Sequence, residues 1–377
     1  MSILSADKSL RYGYTTGACA AAGVMACLLY EAGKAWQMAE FPALDGTLLQ
    51  IPVAAVKYEQ DGALTAEVVK FSGDDPDITN GVSVFTTVRH TPEQNRICFL
   101  AGEGVGKATK PGLSVPVGEP AINPGPRELI KNVVEDMTGT ASGLTVTISI
   151  PAGTELAKQT LNPVLGIEGG ISVIGTTGVL RPMSEEAFKD SLVPQIEVAK
   201  ASGFEDLVFV PGKIGERAAV SWGLPQAALV QTSNFVGFML ENAARLQVQR
   251  ILLFGHIGKM AKVAAGVFYT HNRIGDARLE TIAAYAAASG LGQHGTERIL
   301  AANTTEDALA ILAGAGTDFQ RQVCDRIAAR ASVRAERYLF GKSKVGTVMV
   351  TMKGELLGMD ERAKEIGEGL GWQPPEA

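Results

Sequence analysis

The stretch Phe254 to Glu280 sets His256 and His271, two of the four histidines in the chain, beside Lys259, Arg273, Asp276, Arg278 and Glu280, directly after an apolar run. Imidazoles move protons or donate hydrogen bonds near neutral pH, and neighbouring lysine and arginine bind carboxylates and other anions. Parallel-sheet proteins place ligands where an apolar strand ends in glycine and opens onto such residues, because backbone groups are free there beside a helix N-terminus. The competing reading is that Gly255, Gly258 and Gly266 only let helix and strand pack closely.

Two further segments carry a similar balance. Leu161 to Ala187 places Gly175, Thr176, Thr177 and Gly178 after a short apolar strand and ahead of Arg181 and a helix start. Glycines there would let an adenosine-type ligand approach the backbone and the threonines would supply hydrogen bonds, although geometry alone does not name a cofactor. Val117 to Leu129 joins a proline loop to a helix start and sets Asn123 and Arg127 beside helix amides, which suits an anion as well as it suits an ordinary Pro/Gly turn.

Other motifs fail on inspection. Gly102 to Gly112 has Ala101 where a phosphate loop needs Gly and Ala108 where it needs Ser or Thr, and Lys107 occupies the third Gly of a dinucleotide pattern. A flexible glycine loop near a ligand is the better reading. Asp74, Asp75 and Asp77 lack the alternation of a calcium loop and suit an Asx-type turn. No H-E-x-x-H, Cys/His cluster or G-x-S-x-G is present, so neither a metal site nor a serine nucleophile is expected.

The elements that must position these residues fall into two domains, as 377 residues exceed what one core usually accommodates. Residues 1–150 read as an N-terminal α+β domain. A buried helix follows Thr15 and Thr16 and stops at Gly33, strands are expected at 48–53, 64–71, 82–89, 96–100 and 144–150, and a helix at 127–137. Residues 151–377 read as a C-terminal α/β domain with a mostly parallel sheet. Short apolar strands at 171–174, 207–210 and 251–254 alternate with helices at 184–203, split or kinked by Pro194, and at 235–246; helical patterns then fill most of 278–339 before a last strand at 347–352.

Net charge of −6 and 6% aromatic residues argue against nucleic-acid binding. The longest apolar stretch, Ala18 to Tyr30, is too short and too rich in Ala and Gly to span a bilayer, so no membrane role is expected. Cys19, Cys27, Cys98 and Cys324 lack disulfide or C-x-x-C spacing and read as free thiols in a cytoplasmic protein. Oligomeric state is left open.

Six segments in order, LRYGYTTGACAAAG from Leu10, GDDPDITNG from Gly73, INPGPRELI from Ile122, LNPVLGIEGGISVIGTTGVLRPMSEEA from Leu161, SNFVGFML from Ser233 and GHIGKMAKVAAGVFYTH from Gly255, resemble the CbiD family of cobalt-precorrin-5B methyltransferases. One departure is Ser233, where Gly is expected before Asn234 and Phe235. The resemblance implies methyl transfer from S-adenosyl-L-methionine to carbon 1 of a cobalt tetrapyrrole in anaerobic cobalamin biosynthesis. Under it, Gly175 to Gly178 with Gly255 and Gly258 would cradle the cofactor. Thr15, Thr16, Asn123, Arg127, Arg181, Asn234, Lys259 and Arg278 would meet the substrate, and His256 or His271 would orient the ring or take up a proton. Cobalt would arrive with the substrate. A nicotinamide-dependent oxidoreductase and a non-catalytic tetrapyrrole carrier remain as alternatives.

Overall fold

A computed structural model describes residues 10–93, 96–139, 143–182 and 185–372. The content is mixed α and β, with sheets of both parallel and antiparallel strands. Packing divides the chain into two units, Met1–Glu185 and Glu186–Ala377.

In the first unit a five-stranded sheet runs in the order Ala55–Tyr58, Leu64–Val69, Ser83–His90, Leu144–Ser149, Ile97–Ala101. Only the last pair is parallel. The helix Thr16–Glu31 lies across it, buried from Thr16 to Leu28. Its small residues permit this close approach: a Cβ on Gly23 would come within 2.7 Å of the Thr86 side chain. The helix Pro124–Thr138 packs beside it and ends on Gly139 in the left-handed conformation. The hairpin Met38–Pro42 with Leu48–Pro52 adds a strand that the sequence pattern did not reveal.

The first unit continues past the expected boundary at 150. Gly170–Ile171 pairs with Gly104–Val105, Ile167–Glu168 with Lys107–Ala108, and Val179–Leu180 with Gly13–Tyr14. The segment 171–174, expected to open the α/β rhythm, is therefore a brief ladder belonging to the first unit. The 102–108 glycines are likewise packed rather than loose: a Cβ on Gly104 would lie 1.8 Å from the Ile150 carbonyl oxygen.

The second unit begins with two helices, Glu185–Leu192 and Pro194–Ala201, separated where Pro194 removes a backbone donor. Ser184, expected to start the first of them, lies outside the described residues. The sheet runs in the order Leu229–Gln231, Asp206–Val210, Arg250–His256, Lys344–Val350, Leu356–Met359. The first four strands are parallel and the last is antiparallel. Asp206–Val210 is buried at every position, as a strand covered on both faces must be. Helices Val236–Arg245, Ile257–Ala265, Arg278–Ala288, Gln293–Leu300, Thr305–Gly314 and Thr317–Tyr338 fill the intervals. The strand Leu356–Met359 and the helix Glu361–Gly369 were not expected. Among the described residues no helix is long and apolar enough to cross a membrane.

Candidate functional site

Chain order reverses in the second sheet between Asp206–Val210 and Arg250–His256, and doubly wound sheets open a crevice at such a point beyond the carboxyl ends of the strands. Lys259 reaches across this point. Its Nζ donates to Pro211 O at 2.7 Å, to Asn234 Oδ1 at 3.0 Å and to Ser233 O at 3.3 Å, tying the ends of two strands to the helix Ile257–Ala265. Burial, with a smaller contribution from Lys262, brings its pKa down to about 8. Ser233 has φ +51°, in the left-handed region, which gives a physical reason for the glycine expected there.

Beside this clamp lies a cavity of about 420 Å³ whose lining includes Asn234, His256, Lys259, Lys262, His271 and Arg278. Another part of its wall is Asn303 to Glu306, at the start of the helix Thr305–Gly314, and Met352 also lines it. Six residues expected in the site thus share this cavity, Asn234, His256, Gly258, Lys259, His271 and Arg278, whereas Gly255 does not line it.

The two histidines differ sharply. His256 caps the helix Ile257–Ala265: its Nδ1 accepts from Gly258 N at 3.0 Å, which leaves the proton of a neutral ring on Nε2, 2.8 Å from Glu306 Oε1. Both nitrogens are used inside the protein, so His256 holds two helix starts together and has no atom left for a proton from a ligand. Burial raises the Glu306 carboxyl, but hydrogen bonds from His256 and Thr305 outweigh this and hold it below its ordinary value. His271 accepts from Arg273 N through Nδ1 at 3.2 Å, and its Nε2, bearing the proton of the neutral ring, remains for the cavity. Arg278 binds Asp276 through Nε at 2.7 Å and Nη2 at 2.6 Å. Lys262, which sequence reasoning passed over, is 1% exposed and donates to Asn272 Oδ1 at 2.7 Å and Thr270 O at 3.1 Å.

In the first unit most of the expected site residues are engaged by their own chain. The Thr15 hydroxyl caps the helix Thr16–Glu31 by accepting from Ala18 N. Thr16 Oγ1 accepts from Ile174 N at 3.0 Å and donates to Ile174 O at 3.2 Å. A Cβ on Gly175 would meet Thr15 Oγ1 at 2.3 Å, and one on Gly178 would meet Leu129 and Leu49 at 3.2 and 3.4 Å. These glycines admit the helix start and its neighbours. Thr177 Oγ1 accepts from Val179 N, and Thr176 is exposed. Arg127 donates to Ile122 O, Pro120 O and Glu119 and lies over the Phe99 ring, which pins the proline loop. Arg181 is exposed and lies 3.7 Å from Asp45. Asn123 precedes the helix Pro124–Thr138 without a capping bond from its side chain.

The glycines expected to cradle a cofactor in the second unit are filled as well. A Cβ on Gly255 would meet Pro211 at 3.0 Å and Met260 at 3.3 Å, and Gly258 faces the His256 ring. The strand-end glycine with open space at its α-carbon is Gly212, just after Asp206–Val210, which carried no sequence motif.

A parallel sheet with a cation-lined cavity beyond its strand ends is the arrangement in which α/β proteins place small-molecule sites. The family model described as CbiD matches residues 3–182, and that described as CbiD, C-terminal domain, matches residues 269–361. The chain belongs to the CbiD family. A relative from Moorella thermoacetica named cobalt-precorrin-5B C(1)-methyltransferase is 46% identical, covering 95% of this chain and 97% of its own. Relatives of the same name from Desulfitobacterium hafniense and Methanocaldococcus jannaschii are 41% and 43% identical over 97% and 93% of this chain and 94% and 96% of their own. A crystal structure of a cobalamin biosynthesis protein (cbiD) from Archaeoglobus fulgidus is 26% identical, covering 74% of this chain and 87% of its own, with a TM-score of 0.38.

Proposed function

We propose that this protein transfers the methyl group of S-adenosyl-L-methionine to carbon 1 of cobalt-precorrin-5B, giving cobalt-precorrin-6A, in the cytoplasm. The observation that carries this reading is 46% identity over 95% of the chain to a relative of that name. A sulfonium methyl is already activated, so the chemistry asks the protein for alignment rather than a covalent nucleophile. The chain's own residues then act on the tetrapyrrole. Lys259 fixes the strand ends and adds positive charge, His271 donates from Nε2, and His256 positions the wall through Glu306. The six glycines and threonines expected to hold the donor are packed on this chain itself or, for Thr176, exposed, so none is assigned to it.

Anaerobic incubation with cobalt-precorrin-5B and methyl-labelled S-adenosylmethionine, followed by mass measurement, tests the reading. One labelled methyl per tetrapyrrole is expected. An unchanged mass, or a change that requires NAD(P), overturns it.

A further inference from the structure

We propose that Lys262 makes the cavity of the second unit a carboxylate seat, selecting a charged side arm over an uncharged one of the same shape, with His271 and Arg278 as fellow donors. The proposal rests on the reading that this cavity meets the tetrapyrrole, and deepens it by naming the residue that selects.

Lys262 lines the cavity yet is 1% exposed. An ammonium has three donors, and two are met by neutral oxygens, Asn272 Oδ1 and Thr270 O, so one N–H is left. Among the described residues no ion pair joins Lys262 to a carboxylate. Asp276, the acid whose charge acts on it, is held by Arg278 through two hydrogen bonds. Glu306, the acid lining the cavity, is bound by His256 and Thr305. A buried ammonium with no carboxylate in contact is costly, and an entering carboxylate lowers that cost.

The neighbours favour the same ligand. Lys259, one turn earlier, has spent all three donors and contributes charge but no bond. Both lysines lie on the helix Ile257–Ala265. His271 Nε2–H and the Arg278 Nη1 group carry no partner among the described residues, so the open polar groups of these three side chains are all donors. A carboxylate accepts from them through both oxygens, whereas a carboxamide offers one accepting oxygen, turns its N–H groups toward the remaining donors and brings no charge.

The test uses full-length protein and uroporphyrin, a tetrapyrrole with free acetate and propionate arms, with binding followed by fluorescence. Asn272→Asp places a resident carboxylate 2.7 Å from Lys262 with almost no change of shape. It is expected to weaken binding by about tenfold or more while the urea midpoint holds or rises. Lys262→Met is expected to weaken binding similarly, and the uncharged methyl ester of uroporphyrin to bind wild-type protein no better than either variant binds the acid. Wild-type binding by Asn272→Asp, equal binding of acid and ester, or no uroporphyrin binding by the native chain overturns the seat. If the seat holds and no methyl is transferred, the reaction falls alone; if methyl is transferred and Asn272→Asp binds normally, the seat falls alone.

Discussion

Two strand-end glycine loops, Gly175 to Gly178 in the first unit and Gly255 to Lys259 in the second, look alike in sequence and do different work. In the first, the space left by glycine is filled by Thr15, Leu129 and Leu49, and the adjoining hydroxyls of Thr15 and Thr16 are bonded internally. In the second, glycines are also packed, but Lys259 and Lys262, which follow them, line a cavity and have no carboxylate partner among the described residues. Glycine marks close approach of backbone to something, and that something is as often the chain itself as a ligand. What marks the ligand is charge without a counter-charge.

The largest effect expected from this contrast is on Gly175→Ala. With φ at +147° and Thr15 Oγ1 in the way, it should cost about 3 kcal/mol, read as a fall in the denaturant midpoint. Gly255→Ala meets only side-chain atoms at 3.0 and 3.3 Å and should cost about 1 kcal/mol. Equal losses would erase the distinction between the loops.

Within the second unit, His256→Ala removes a helix cap and the bond to Glu306 and should cost about 2 kcal/mol of stability. His271→Ala should stay within about 0.5 kcal/mol and instead slow turnover. A reversal, with His271 governing stability and His256 only turnover, would interchange their roles.

Lys259 gives a pH signature that sharpens the picture of a buried cation. Its pKa is about 8 in the folded protein against 10.5 for a free lysine, so between these values the unfolded chain binds more protons. Stability from this group should therefore rise as pH climbs from about 8 toward 10.5, and its charged-state cost is fully present below that window. Lys259→Met should flatten the urea midpoint across the window, and a slope unchanged by the substitution would remove Lys259 as its source.

The smallest effect is on Ser233→Gly, which relieves a left-handed serine and should stabilise by about 0.5 kcal/mol in thermal unfolding. A loss would mean the serine side chain contributes more than its backbone strain costs.

The rhythm of the second sheet was legible because its strands are short, continuously apolar and set between helices: 207–210 and 251–254 were expected, and Asp206–Val210 and Arg250–His256 are found. The 151–182 segment was misplaced because two-residue ladders to Gly104–Val105 and Gly13–Tyr14 leave no periodic trace. The phenylalanine-to-glutamate stretch 254–280 was found from its histidines and cations. The wall at 303–306 was missed because Glu306 meets His256 across 50 residues, and no local pattern records such a contact. Lys262 was missed because a charged helical residue normally faces water, and here it is buried.

Under the proposed function the tetrapyrrole is met by the cavity of the second unit rather than by the glycine loop of the first. Amide hydrogen exchange on full-length protein, with and without cobalt-precorrin-5B, separates these two placements. Protection is expected in 256–278 and 303–306, with none gained in 15–17 and 174–178. Protection confined to 15–17 and 174–178, with 256–278 and 303–306 unchanged, would contradict it.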